Sequence, residues 1–425
     1  MTKLDDALAA AIGRYRQAHP RSEAALTRAR AVLPGGNTRS SLWNAPFPLC
    51  VVGGHGCRIR DVDEHEYIDS LGEFTAGIFG HSSPVLAAAV ADAHARGINL
   101  SSHTPYEVAL AERLVERFPS IDRVRFANSG TEANLMAINA ARLATGRERV
   151  IVFENGYHGG VATFIPGADR VNAPYAFDVL PFDDIDAAVV AFAKGPEVAA
   201  VLVEPMQGAG GCRVASPAFL QSLRDLTRKS GTVLIFDEIQ TARMAFGGLQ
   251  ERLGIVPDMT TLGKFFGGGM AFGAFGGKAE IMDLFDPSRP GALPHAGTFN
   301  NNSLTMAAGI AAIDHYLSAD TLNALFDRGE AFRNRLNAAF IANAAPFEAT
   351  GIGSILNIHA CLDAPQDAVA ARRLLQFEVL AEGCYFAPRG LIALSLAITE
   401  AEIETFFAAL DRALGRLMPV LSEVH

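Results

Sequence analysis

Three short runs in the middle of the chain restrict its fold more than any other feature: Val150–Phe153, Val198–Val203 and Val233–Phe236. Each is apolar at consecutive positions rather than alternate ones, the pattern of a strand covered on both faces. Arg123–Ala127 reads as a fourth strand, followed at once by a helical pattern through Leu135, Ile138, Ala141 and Leu143. Between the last two runs lies a punctuated helix. Ser216 stands at its N-cap and Pro217 at its first position. Phe219, Leu220, Leu223 and Leu226 form its apolar stripe, and Gly231 is its stop. Alternation of this kind predicts an α/β domain with a mostly parallel central sheet and helices on both faces. Two further strands are expected at 259–262 and 271–275.

The two ends read differently. The first thirty or so residues carry a helical pattern that ends at Pro34-Gly-Gly36, and residues 58–63 and 66–69 alternate like a hairpin. The last hundred predict a long helix, a strand pair near 353–359 and 391–398, and a final helix. That helix opens with a capping box, Thr399 to Glu402, and continues through Ile403, Phe406, Phe407 and Leu410. The expected organisation is a large domain over 71–315. A smaller α+β domain is assembled from an N-terminal segment, 1–70, and a C-terminal one, 316–425.

Charge removes whole classes of function. Thirty-six Lys and Arg against 46 Asp and Glu give a net charge of −10. That argues against nucleic acid and against anionic membrane surfaces, both of which need an electropositive footprint. Val198–Val203 is about as long as the apolar stretches become, far short of the roughly 20 residues of a membrane span. The N-terminal segment lacks the apolar stretch of a signal peptide. Cys50, Cys57, Cys212, Cys361 and Cys384 are odd in number and scattered, as expected of reduced thiols in the cytoplasm.

Several chemical signatures are missing: GxxxxGK[ST], GxGxxG after a strand, HExxH and GxSxG. His55 and His65 lie near acids but without metal-ligand spacing, so no metal is expected. What remains falls at the C-terminal ends of the expected parallel strands, where open α/β sheets bind ligands. Asn128-Ser-Gly-Thr-Glu-Ala133 joins a strand to a helix, either as a phosphate seat or as a plain N-cap. Asp237 closes the Val233–Phe236 run with a carboxylate. Lys264 follows in Thr261-Leu-Gly-Lys-Phe-Phe-Gly-Gly-Gly269. Glycine-flanked lysines are usually solvated loop charges. An apolar strand before it and phenylalanines after it give this one the desolvated setting of an amine nucleophile. Glycine is abundant, 40 of 425 residues, and crowds the segment after Lys264. There it is expected to let backbone approach a bound ligand.

Together these residues resemble the fold-type I, pyridoxal-phosphate-dependent class III aminotransferases. The resemblance runs from Pro34-Gly-Gly to Ala387-Pro-Arg and rests on an ordered set: Ser-Gly-Thr, Gly-Tyr-His, Glu-Pro, Asp-Glu, Leu-Gly-Lys and Gly-Thr. It implies that Lys264 holds the cofactor as a Schiff base and shuttles the proton between substrate and cofactor carbons. It implies too that Asp237 keeps the pyridine nitrogen protonated. Ser129, Gly130 and Thr131 would bind the phosphate. Tyr157 would stack on the ring, with His158 beside it. Glu204 and Gln240 would lie near the phenolic oxygen. Thr298 would reach the phosphate of a neighbouring subunit, which implies a homodimer with shared sites.

Within the class the chain resembles the glutamate-1-semialdehyde aminomutase group, and two arginines refine the likeness. Arg39, in Gly35-Gly-Asn-Thr-Arg39, matches that group's substrate-carboxylate arginine. Arg389, in Ala387-Pro-Arg-Gly-Leu-Ile392, departs from it. The pair, with the Thr298–Asn302 run, is similar instead to β-amino-acid aminotransferases of the β-phenylalanine type. The resemblance then implies amino transfer from a β-amino acid to an oxo acid such as 2-oxoglutarate or pyruvate. The alternative is an aminomutase or epimerase on the same scaffold. Two guanidinium groups suit a transaminase, which accepts two unlike acids in turn. Each arginine would otherwise be a surface ion pair. Trp43, Phe47 and Met244-Ala-Phe246 are candidate pocket walls, or simply core residues.

Overall fold

The computed structural model describes residues 2–194 and 197–422. It divides into two compact units, and the chain passes between them at Ser83–Pro84 and Phe326–Asp327. Both passages fall later than the boundaries after residues 70 and 315. The first shift has a local cause, because the segment after the hairpin stays with the C-terminal strands. The Ala393 amide donates to the Ser70 carbonyl at 2.7 Å, and the Leu396 amide to Ile78 at 2.8 Å.

One unit is built from both ends of the chain. The N-terminal helical pattern is two helices, α1 (Lys3–Ala18) and α2 (Pro20–Arg30). Pro20 has no amide to continue α1 and instead opens α2 at its first position. Strands β1 (Val51–His55), β2 (Arg58–Asp61) and β3 (Glu66–Asp69) pair antiparallel, and Cys384–Tyr385 adds a parallel strand beside β3.

The other unit holds the main sheet: β4 (Arg123–Ala127), helix α3 (Gly130–Thr145), β5 (Arg149–Phe153), β6 (Ala176–Leu180), β7 (Val198–Val203), helix α4 (Pro217–Ser230), β8 (Val233–Asp237), β9 (Met259–Gly263) and β10 (Gly273–Gly277). Its seven strands run in the order β4-β10-β9-β8-β7-β5-β6, and β10 alone is antiparallel to its neighbours. This is the mixed, mostly parallel sheet that the resemblance to fold type I implies. Alternate residues of the consecutive apolar runs enter two separate cores. Val150, Val152, Leu202 and Ile235 pack on one face, and Ile151, Phe153, Val203 and Phe236 on the other. Full burial of side chains this size is worth roughly 1.5–3 kcal/mol each, so the runs fix the sheet. The punctuation around α4 holds: Ser216 Oγ accepts the Phe219 amide, and Gly231 turns left-handed at φ 69°.

The chain then returns to the first unit with β11 (Phe347–Ile352), β12 (Ile355–Ala360) and β13 (Leu391–Ala393), an antiparallel sheet in that order. Helix α5 (Glu400–Leu421) closes the chain behind the expected capping box. No helix among the described residues is long and apolar enough to cross a membrane.

Candidate active site

Register brings the chemical residues to one edge of the main sheet. Phe236 pairs with Val203 and Asp237 with Thr261. Gly263 and Ala127 both pair with Gly273. Residues just beyond these pairs therefore emerge side by side: Glu204 after β7, Lys264 after β9, and Asn128 and Ser129 after β4. A Cβ on Gly273 would lie 2.1 Å from the Ser129 carbonyl oxygen, so only glycine lets the turn after β4 cross β10. At Gly273 the close approach is chain against chain.

Asp237 is the buried centre of this edge, 4% exposed. Its Oδ2 accepts from Asn134 Nδ2 and from His158 Nδ1, both at 2.8 Å, and its Oδ1 accepts the Ile239 amide at 3.1 Å. A carboxylate acceptor there places the His158 proton on Nδ1. Asn134, on α3, is held in turn. Its amide also donates to the His158 carbonyl at 3.0 Å, and its Oδ1 accepts from Thr261 Oγ1 at 2.7 Å. The sequence reading missed Asn134. The available signal was one amide within the buried stripe Ala133, Ala137, Ile138 and Ala141 of α3.

The other expected residues follow along the chain. Ser129 caps α3, its Oγ accepting the Glu132 amide at 3.2 Å. The plain N-cap and the anion seat are thus one structure, because first-turn amides of a helix have no acceptor within it. Thr131 Oγ1 accepts the Gly160 amide at 3.2 Å. A Cβ on Gly159, at φ 121°, would meet that oxygen at 2.3 Å, so glycine is needed for this approach. Glu204 is buried and accepts the amides of Tyr157 at 3.0 Å and Gly208 at 3.2 Å. Burial pushes its carboxyl up to about 7. The charge of Asp237 adds to the rise, and His158 and the two amides oppose it. Gln240 packs against Gly208, where a Cβ would stand 2.3 Å from its side chain. Tyr157 is 42% exposed between buried Gly156 and His158. Lys264 is partly buried and has a left-handed backbone, φ 55°. A non-glycine residue held there is strained, a condition that concentrates at functional sites. Thr298 is exposed in the segment before helix Ser303–Tyr316 and lines a polar cavity of about 700 Å³ with Asn99, Ser101 and His103.

Arg39 and Arg389 belong to the terminal unit, which brings them together on one side chain. The Arg39 guanidinium lies 5.3 Å from the centre of the Phe74 ring and that of Arg389 5.6 Å from it. Arg39 is also ion-paired with Glu73, both side chains about half exposed. Glu73, Phe74 and Thr75 are all left-handed, at φ 48°, 52° and 79°, directly after Gly72 at 54°. Such a backbone costs roughly 1–2 kcal/mol per non-glycine residue. Asp69 steadies its start, its Oδ1 accepting the amides of Leu71 at 2.8 Å and Gly72 at 3.2 Å. Nothing in the residue types of 72–75 announces this run, and Glu73 and Phe74 went unrecognised in the sequence. The candidate walls resolve largely as packing. Phe47 and Met244 are fully buried. Arg117 covers the Phe246 ring at 4.2 Å, and Arg30 stands 5.6 Å from that of Trp43.

Residues 40–414 match the class-III aminotransferase family. A beta-phenylalanine transaminase of Variovorax paradoxus is 46% identical over 420 residues, 97% of this chain and 96% of that protein. A solved beta-phenylalanine aminotransferase from the same organism superposes with a TM-score of 0.94 at 46% identity, covering 97% of this chain and 98% of the other. A glutamate-1-semialdehyde 2,1-aminomutase of Rhodopirellula baltica is 41% identical over 70% of this chain and 71% of its own. The chain belongs to the class III aminotransferases, enzymes dependent on pyridoxal phosphate. Its residues fit that cofactor. A lysine stands at a strand end, a buried carboxylate is oriented by histidine and amide, and a helix N-terminus presents amides beside two hydroxyls.

Proposed function

We propose that this aminotransferase moves the amino group of a β-amino acid, aromatic and of the β-phenylalanine type, to an oxo acid such as 2-oxoglutarate or pyruvate. The observation that carries the reading is the pair of guanidinium groups sharing the Phe74 ring. A transaminase handles two acids in succession. Two bidentate carboxylate receptors offer one binding pose for each. A β-amino acid sets its carboxylate one carbon farther from its amine than an α-amino acid does, which gives the second receptor a use. The similarity to beta-phenylalanine transaminase supports the same substrate class.

Bound pyridoxal phosphate supplies the electron sink for the substrate's carbon–hydrogen bond. The chain does the rest. Lys264 carries the covalent link, and its amine then moves the proton. Asp237 holds the proton on the pyridine nitrogen, positioned by His158 and Asn134. Ser129, Gly130 and Thr131 take the phosphate, and Tyr157 stacks on the ring. Glu204 and Gln240 serve the phenolic oxygen. Thr298 completes the phosphate site of a second copy, so the working unit is a homodimer, and its place is the cytoplasm. The test is a panel of α-, β- and γ-amino acids and simple amines, each assayed with both oxo acids. Stoichiometric oxo-acid consumption with a β-aryl donor is the expected result. Conversion of a single substrate with no added oxo acid would make the enzyme an isomerase and sink the proposal.

A further inference from the structure

The junction of α1 and α2 brings a third kind of chemistry together, on residues given no role above. His19, between the two helices, meets Asp61 at the end of β2 and His65 in the turn before β3. One ligand atom from each lies within 4.8 Å of the others. Sequence spacing could not show this, because His19 joins the other two only through the fold.

We propose that His19, Asp61 and His65 bind a divalent transition-metal ion of the zinc type. His19 and Asp61 are each oriented by bonds to the backbone, and the His65 ring is turned toward Asp61 itself. His19 Nδ1 lies 2.7 Å from the Tyr15 carbonyl, which can only accept, so the proton is on Nδ1 and Nε2 presents its lone pair to Asp61. A backbone carbonyl behind a ligating imidazole is the usual support of a metal-bound histidine. Asp61 is fully buried. Its Oδ1 accepts the amides of Asp63 and His65, both at 2.9 Å, which turns Oδ2 toward the two rings. His19 Nε2 stands 3.5 Å and His65 Nδ1 3.2 Å from that oxygen. Tetrahedral zinc with bonds of about 2.1 Å requires ligand-to-ligand edges of about 3.4 Å. Two imidazoles and a carboxylate also make a donor set that suits zinc and its neighbours.

The surrounding hydrogen bonds leave room for a cation. The Tyr67 hydroxyl lies 2.7 Å from His19 Nε2 and 3.1 Å from Asp61 Oδ2. It has one proton for these two acceptors. Either a proton on His65 Nδ1, 3.2 Å from the same Oδ2, or a cation between the three ligands satisfies the second. His65 is partly exposed, and a cavity of about 330 Å³ lined by Tyr15, His19, His65, Tyr67 and Phe377 gives access from outside. The ion would clamp the helix junction to the hairpin. That is a structural role, independent of amino transfer.

The test uses the cofactor-loaded enzyme, stripped with chelator and dialysed against zinc or cobalt. Expected are one bound metal per chain by elemental analysis, ligand-field bands of tetrahedral cobalt, and a thermal midpoint that rises with free zinc. His65→Ala should weaken binding at least tenfold. Tyr67→Phe, which keeps all three ligands, should retain the metal, as should His94→Ala, a change at an exposed histidine elsewhere. The cobalt spectrum of the unaltered enzyme decides the matter even if a variant fails to fold. Less than a tenth of an equivalent of metal, or equal binding by wild type and His65→Ala, overturns the proposal and leaves a hydrogen-bonded cluster.

Discussion

The carboxylate edge of β8 and the arginine pair on Phe74 solve opposite problems. Asp237 is buried, accepts three hydrogen bonds and sits in a register fixed by two paired strands. Arg39 is half exposed, with a surface ion pair and one face of a ring for company. Buried polar groups are costly to rearrange, whereas exposed guanidinium groups turn cheaply. The difference suits an enzyme whose cofactor stays while its two acid substrates alternate. On the roles proposed above, one region is to be rigid and pre-organised and the other to accept unlike shapes. Each substitution below tests whether the regions divide the labour in this way.

The largest effect belongs to the rigid region. On the roles proposed for it, Lys264 is both the covalent link and the proton carrier, so Lys264→Ala should abolish the visible absorption of lysine-linked cofactor and cut turnover by about 10⁴-fold or more. Turnover within tenfold of wild type would remove Lys264 from the reaction. Next comes Asn134→Ala, which takes one donor from Asp237 and leaves Thr261 Oγ1 without its acceptor. An unsatisfied buried group costs about 1–3 kcal/mol. The expected result is a ten- to hundredfold fall in kcat, with a shifted pH profile and little change in KM. A rise in KM at unchanged kcat would show that Asn134 acts through substrate binding instead.

The two regions also differ in how far the sequence reveals them. The main sheet was readable because burial on both faces demands consecutive apolar residues, so β5, β7 and β8 announce themselves. Asp237 and Lys264 were readable as polar residues placed at the ends of such runs. Asn134 was not, because one amide within a helix gives no period to detect. Glu73 and Phe74 were hidden more deeply. Their positions depend on a left-handed run at residues that ordinarily avoid that conformation, and only tertiary contacts impose it. The helix break at Pro20 is local, set by proline's missing amide, whereas the late first domain crossing is decided by what packs on the segment. His19 joins Asp61 and His65 for the same reason.

On the softer side the effects shrink. Phe74→Ala removes a ring shared by two cations, each contact worth roughly 0.5–1 kcal/mol at an exposed site. KM for amino donor and for oxo acid should both rise about two- to fivefold while kcat holds. A change confined to one substrate would show that only one arginine uses the shelf. A subtler change follows from His81, whose Nε2 lies 3.0 Å from Asp69 Oδ2. That hydrogen bond raises the His81 pKa, with burial opposing it. A raised histidine stabilises the fold fully below its unfolded value, about 6.5, and loses that contribution as pH rises through the folded value. The difference in thermal midpoint between wild type and His81→Asn should therefore fall as pH rises above about 6.5. A flat difference would detach His81 from the support of the 72–75 run.

The smallest effect is the most discriminating. Arg39 and Glu73 form an exposed pair, and such pairs contribute about 0–1 kcal/mol. Glu73→Gln should therefore leave the thermal midpoint nearly unchanged. If Arg39 receives a substrate carboxylate, however, Glu73 competes with that carboxylate for the same guanidinium. Removing the competitor should lower KM for the acid that Arg39 binds by about two- to fivefold at low ionic strength. The gain should vanish in high salt, where exposed charges are screened. Binding of the other acid, held by Arg389, should be unaffected. Which KM moves would then assign the two arginines to their substrates. If Glu73→Gln destabilises the fold and leaves both KM values alone, the pair is a structural brace, and the distinction between a rigid and an adaptable region fails at Arg39.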